Sequence, residues 1–287
     1  MIDLHIHTVA SDGQHTPAEV AAMARELGLT AMAIADHNSV ESVGPAAAAA
    51  AAAGMAFAPA VELDTIFRGR DLHLLGYFIA YDAPACAAYL AEIHRAKLEQ
   101  TRQRVARLQE LGFALEFEEL MAVSEQRLPA GKQYIAALKL HPENFRNPDF
   151  MAFIDGPRSN SPYLNFYLDW LRAGRPAFVP LLSQPTERAI RELKALAGVP
   201  ILAHPSDTPA PDVHDLIDAG LMGLEVYSSY HDAGLTAKFL ALAQDRRVLV
   251  TAGSDFHGAQ VKPEVRLAGV PGNEHRLYEE LKARAGR

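Results

Sequence analysis

Only one cysteine, Cys86, occurs in 287 residues, so no intrachain disulfide can form and a reducing, cytoplasmic setting is expected. No apolar run reaches membrane-spanning length; Ala46 to Ala53 reads as an alanine-rich helix, and no membrane partner is expected. Positive charge is also scarce. The 27 Lys and Arg against 35 Asp and Glu give a formal net charge of −8, which argues against binding duplex nucleic acid through its phosphates. A small anionic substrate stays admissible, because bound metal can reverse the charge of one pocket. No secretory leader is expected, since the first polar motif begins at residue 2. What the chain does have is a hydrophobic content of 49%, enough for a large core, at a length normal for an α/β barrel with an insertion.

The first strand, Ile2 to Thr8, alternates apolar residues with His5 and His7. Alternate side chains of a strand project to opposite faces, so the two imidazoles emerge together, with Leu4 and Ile6 on the other face. Two neighbouring rings with polar nitrogens suit a metal better than a core, and Asp12 follows in Ser11-Asp12-Gly13 to add an oxygen. Thr16-Pro17 then starts a helix as N-cap and first helical residue, closed by Gly28. Further apolar runs each deliver polar residues at their ends: Ala31–Ala35 delivers Asp36-His37, and Ala56–Val61 delivers Glu62. After a turn at 67–70, the run Leu72–Phe78 carries His73.

Between about Pro84 and Pro180 this alternation stops. Tyr89 to Gly112 has the charge spacing of a long amphipathic helix, Pro142 to Pro162 is rich in turn residues, and Tyr163 to Leu171 reads as an aromatic helix. Strand-like runs return with Val199–Ala203 before His204-Pro205, Leu221–Val226 before Tyr230-His231, and Val248–Ala252 before Ser254-Asp255-Phe256-His257. The organisation expected is an α/β fold with a barrel over 1–83 and 181–287, and a helical insertion over 84–180.

Six of the twelve histidines, His5, His7, His37, His73, His204 and His257, fall at or beside strand ends, together with Asp12, Glu62 and Asp255. Each has a bland alternative; His73 alone could be a hydrogen-bonded core residue. Recurrence of ligand-type residues strand after strand makes a polynuclear metal site the better joint explanation, since barrel enzymes gather their chemistry at the carboxyl ends of strands. Mixed imidazole and carboxylate donors suit manganese, zinc or iron.

These motifs, His5-x-His7, Ser11-Asp12-Gly13, Asp36-His37, Glu62, His73, Ala203-His204-Pro205 and Ser254-Asp255-Phe256-His257, occur in an order that resembles the PHP (polymerase and histidinol phosphatase) family of metal-dependent phosphoesterases. The resemblance covers nearly the whole chain outside the insertion. It implies a distorted seven-stranded (β/α)7 barrel holding two or three divalent ions. By the family pattern His5, His7, Glu62 and Asp255 surround the first ion, Asp12, His37 and His257 the second, and His73 and His204 with Glu62 the third. Three ions would carry +6 and Asp12, Glu62 and Asp255 −3, which leaves about +3 for a hydroxide and a phosphate. The nucleophile implied is a metal-bound hydroxide, with Asp12 and Asp255 in the catalytic set.

The insertion is expected to set specificity. Where related phosphatases carry an Arg-x-His segment that reaches substrate phosphate, this chain has Gly131-Lys132-Gln133-Tyr134; lysine binds phosphate as a point charge, without a guanidinium fork. Lys132 and Tyr134 are therefore candidate substrate residues, as are Arg158, Arg175 and His231, the last also a candidate to protonate the leaving oxygen. The leading expectation is a phosphatase for a small phosphomonoester, a nucleotide of the nucleoside 3′,5′-bisphosphate kind. Alternatives are a phosphodiesterase for a cyclic phosphate or a short RNA 5′ end, a histidinol-phosphate phosphatase, and, in another class, an amidohydrolase-type C–N hydrolase. A binding-only module would lack ligands, and none is missing.

Overall fold

In the computed structural model, which describes residues 1–287, eight strands form two sheets. The first contains β1 (Ile2–Ile6), β2 (Ala31–Ile34) and β3 (Ala56–Phe57), all parallel. The second runs in the order β4 (Ala60–Phe67), β5 (Arg70–Tyr77), β6 (Val199–Leu202), β7 (Gly223–Ser228) and β8 (Leu249–Gly253).

The barrel expected from the sequence is not closed. Single bridges join the sheets at two seams, Ile6 with Phe256 and His37 with Glu62. Around β5 the pairing is antiparallel on both sides, because β4 and β5 form a hairpin turned by Arg68 and Gly69, both at positive φ. At the seams the strands part where Asn38 (φ 51°) and Asp255 (φ 58°) take left-handed backbone, which turns chain ends inward instead of extending a ladder. A register shift between Asp3 and Ile6 also separates Leu4 from Ile6. Leu4 enters the core shared with Leu277 and Leu281, whereas Ile6 joins Val20, Ala24 and Ala46.

Helices cover the outside. α1 (Pro17–Glu26) has the cap expected: Thr16 accepts from the Glu19 N–H, and Glu19 accepts from the Thr16 N–H. α2 (Val43–Ala52) packs beside it. Residues 84–171 contain only helical segments: the 27-residue α3 (Pro84–Glu110), α4 (Phe117–Val123), α5 (Gly131–Leu138), a 3-10 turn (Pro142–Arg146), α6 (Pro148–Met151) and α7 (Pro162–Phe166). Instead of continuing as one aromatic helix, α7 widens into a π-helical turn over Tyr167–Leu171. A separate apolar core, including Leu108, Phe113, Tyr134, Phe150 and Phe166, lies wholly within these segments and Ala177. α8 (Thr186–Ala195), α9 (Ala210–Asp218), α10 (Ala233–Arg246) and α11 (His275–Arg284) complete the chain. No helix is long and apolar enough to cross a membrane.

Candidate metal centre

Glu62 is the hub. It projects from β4, fully buried, and its two oxygens face five imidazoles. Oε2 lies 3.2 Å from His5 Nε2, 3.1 Å from His7 Nε2 and 3.2 Å from His37 Nδ1. Oε1 lies 3.1 Å from His73 Nδ1 and 3.2 Å from His204 Nε2. β1 supplies His5 and the residue just past its end is His7, the seam after β2 supplies His37, β5 supplies His73, and the loop after β6 supplies His204. The β8 end adds Asp255, whose Oδ1 is 3.0 Å from His7 Nε2. His257 follows, its Nε2 3.1 Å from Asp12 Oδ1.

Three groups of donors converge closely enough to share an ion: His5, His7, Glu62 and Asp255; His7, Asp12, His37 and His257; and His37, Glu62 and His73. His204 reaches the third group through Glu62 Oε1. His37 Nδ1, Glu62 Oε2, His73 Nδ1, Asp255 Oδ1 and His257 Nε2 are buried with no hydrogen-bond partner, an expensive arrangement for a protein unless a cation sits among them. The donor set thus fits divalent metal. Its charge distribution agrees: burial alone would raise the Glu62 pKa, but His5, His37 and His73 hold it well below the usual carboxylate range. His257 is depressed to about 4, chiefly by burial, and so presents a neutral ring.

Neighbouring groups set the tautomers that metal binding needs. His5 Nδ1 donates to Glu225 Oε1 at 2.9 Å, which turns Nε2 toward Glu62 as the nitrogen that would face a metal. Likewise His257 Nδ1 donates to the Asp255 carbonyl at 2.8 Å. His231 Nδ1 donates to the Val226 carbonyl at 2.9 Å and leaves its buried Nε2 as a free acceptor.

Several residues of this region were not singled out by sequence reasoning. Glu225 is fully buried on β7 and also accepts from the His204 N–H at 2.9 Å; its only signal was one carboxylate inside the apolar run Leu221–Val226. Asp64 lies 3.2 Å from His37 Nδ1 and 3.4 Å from His73 Nε2, while its other oxygen pairs with Lys97 of α3 at 2.6 Å. Asp64 is two residues from Glu62, hence on the same strand face, and that period was the available signal. Lys262 and the Tyr230 hydroxyl both donate to Asp255 Oδ2, each at 2.5 Å. Nothing in the local sequence marks Lys262.

The insertion candidates are dispersed. Lys132 is exposed on α5, and Tyr134 is buried in the insertion core. Arg158 is held bidentately by Asp169 at 2.7 and 2.8 Å. Arg175 is exposed and borders a cavity with Arg70, Asp71 and Arg172.

Residues 3–146 match the family model described as the PHP domain. This chain belongs to the PHP family. Over 262 residues it is 29% identical to the 3′,5′-nucleoside bisphosphate phosphatase of Chromobacterium violaceum, covering 89% of this chain and 87% of that protein. A phosphoribosyl 1,2-cyclic phosphate 1,2-diphosphodiesterase of Eggerthella lenta is 25% identical over 259 residues, covering 89% and 94%. The 5′-3′ exoribonuclease Rnm of Escherichia coli is 28% identical over 269 residues, covering 89% and 84%. Among solved structures, an amidohydrolase from Chromobacterium violaceum with bound sulfate and no metal superposes with a TM-score of 0.79 at 26% identity, covering 99% of this PHP chain and 96% of the other. Family, relatives and donor set agree on one class of chemistry, metal-dependent hydrolysis of phosphoric esters.

Proposed function

We propose that this PHP phosphoesterase removes a phosphate from a small phosphomonoester, a nucleotide resembling a nucleoside 3′,5′-bisphosphate. The observation that carries this reading is the convergence of five imidazoles on the buried Glu62 carboxylate, with donors left unpartnered for cations. The choice of a nucleotide monoester rests on likeness to the bisphosphate phosphatase along most of both chains.

His5, His7, Glu62 and Asp255 would hold one divalent ion, with His7, Asp12, His37 and His257 around a second and His73, His204 and Glu62 around a third. When bound, such ions supply Lewis acidity to the phosphoryl oxygens and lower the pKa of water. The protein's own groups do the rest. Glu225 and the Asp255 carbonyl keep His5 and His257 in fixed tautomers. Lys262 and Tyr230 orient Asp255. His231 has its Nδ1 proton tied to Val226, and burial lowers its pKa, so near neutral pH its ring is neutral and its Nε2 is an acceptor. As an acid it would first have to take up a proton.

A diester substrate is the second reading, favoured by the likeness to the cyclic phosphate diesterase over the same share of this chain. Both are tested by measuring product release from adenosine 3′,5′-bisphosphate, a ribose cyclic phosphate and a 5′-phosphorylated oligoribonucleotide with manganese-loaded protein. Fastest turnover of the bisphosphate, abolished by chelator, is the expected result. Faster turnover of either diester overturns the monoester assignment, and activity on none overturns the phosphoesterase reading.

A further inference from the structure

His37 belongs to two of the three donor groups, yet a neutral imidazole has only one ring nitrogen with a lone pair to give. Its Nδ1 is 3.2 Å from Glu62 Oε2, on the side of the third group. Its Nε2 is 4.0 Å from Asp12 Oδ2, on the side of the second. His73 poses the same choice, with Nδ1 3.1 Å from Glu62 Oε1 and Nε2 3.4 Å from Asp64 Oδ1. A single oxygen bears on both choices, because Asp64 Oδ1 is also 3.2 Å from His37 Nδ1.

The fold fixes Asp64 in that place from three sides. It stands two residues after Glu62 on β4 and directly opposite His73 in the antiparallel pairing with β5, so all three project from one face of the hairpin. Asn38, in left-handed backbone immediately after His37, clamps it. The Asn38 amide donates to Asp64 Oδ2 at 3.0 Å, and its side-chain oxygen accepts from the Asp64 N–H at 3.1 Å. Lys97 of α3 pairs with the same Oδ2 at 2.6 Å. Oδ2 is thus committed to two donors, and Oδ1 is left facing the two rings.

We propose that Asp64 is a positioning residue that draws the proton of His37 to Nδ1 and the proton of His73 to Nε2. His37 Nε2 is then a donor to the second ion alone, with Asp12 and His257. His73 Nδ1 is freed to join His204 Nε2 and Glu62 Oε1 around the third. A carboxylate that accepts from the outer nitrogen of a ligating histidine fixes both its tautomer and its ring orientation. An ionised carboxylate has about four lone-pair sites, so with both rings donating Asp64 keeps none for an ion of its own. Because Lys97 lies on the long helix of the insertion, the same carboxylate ties that segment to the third site. The inference rests on the reading of these donors as a metal centre.

The test reads the tautomers directly. Full-length protein with nitrogen-15 in its histidines is loaded with zinc, which is diamagnetic. Long-range proton–nitrogen correlation spectra then distinguish the protonated from the metal-bound nitrogen of each ring, and His37→Gln and His73→Gln assign the two residues. The expected result is His37 protonated at Nδ1 and metal-bound at Nε2, and His73 protonated at Nε2 and metal-bound at Nδ1. The opposite pattern in either ring overturns the proposal, since a merely structural carboxylate would not decide which nitrogen carries the proton. Asp64→Asn gives a second readout by zinc calorimetry. Lys97 claims its one amide oxygen and the NH2 group confronts the rings, so zinc at the weakest site should bind about 10–100-fold less tightly. An affinity within twofold of wild type overturns the proposal. If circular dichroism shows that Asp64→Asn does not fold, the wild-type spectra decide alone. Wild type that takes up no zinc by elemental analysis overturns the metal-centre reading and this inference with it; zinc taken up with either ring reversed overturns this inference only.

Discussion

Glu225→Gln isolates the role of a residue that touches no substrate. One Glu225 oxygen accepts from His5 Nδ1–H and the other from the His204 backbone N–H, both at 2.9 Å. Both partners are donors, and an amide has only one acceptor oxygen. If that oxygen faces His204, the amide NH2 confronts His5 Nδ1 and drives the ring proton to Nε2, the atom 3.2 Å from Glu62. If it faces His5, the buried His204 N–H meets another donor. Either way about one charge-assisted hydrogen bond is lost, roughly 1.5–3 kcal/mol. At about 1.4 kcal/mol per tenfold, that is a weakening of metal binding by ~10–100-fold. Side-chain volume is conserved, so the fold should persist. Manganese titration by calorimetry on wild type and variant, with circular dichroism as control, measures the effect. A dissociation constant within twofold of wild type would refute the reasoning.

Other outcomes follow from the same geometry. His204→Ala removes a donor facing Glu62 Oε1 and should cost one equivalent of bound metal and most turnover, read by elemental analysis and phosphate release; full metal content with full activity would contradict it. In Gly253→Ala the new methyl overlaps His5 Cβ and Glu225 Oε1, so stability should fall by about 1–3 kcal/mol and Tm by several degrees in thermal melts; an unchanged Tm would count against the packing described. In metal-free protein burial alone would lower the His37 pKa, but Glu62 and Asp12 outweigh it and raise it to about 10. A raised folded pKa gives stabilisation that is complete below the unfolded value near 6.5 and is lost as pH climbs through 10. Chelator-treated protein should therefore lose Tm between pH 7 and 9, and metal-loaded protein should lose less, because unprotonated rings are the metal-binding form. A flat profile in chelator would contradict this.

Much of the centre was legible because strand period and strand ends are local properties. His5 and His7 alternate with apolar residues, and Asp36-His37 and Asp255-Phe256-His257 punctuate apolar runs. The closed barrel was not borne out, because closure depends on how chain ends leave the sheet. At Asn38 and Asp255 they turn through left-handed backbone that no hydrophobic pattern encodes. Glu225, Asp64 and Lys262 escaped for a different reason. Their partners, His5, Lys97 and Asp255, lie on other elements, and a lone charge beside an apolar run reads as surface until the fold brings its counterpart.

The central claim, that donors gathered on Glu62 hold several metal ions used to hydrolyse a phosphoester, is tested most directly by one paired measurement. Metal content after manganese loading and dialysis is determined for wild type and Glu62→Gln, and inorganic phosphate release from adenosine 3′,5′-bisphosphate is followed in the same samples. The account predicts two to three equivalents in wild type, turnover that rises with metal content and vanishes in chelator, and loss of both metal and turnover in Glu62→Gln. Wild-type turnover that survives complete removal of metal, or a Glu62→Gln protein with undiminished metal and activity, would contradict it.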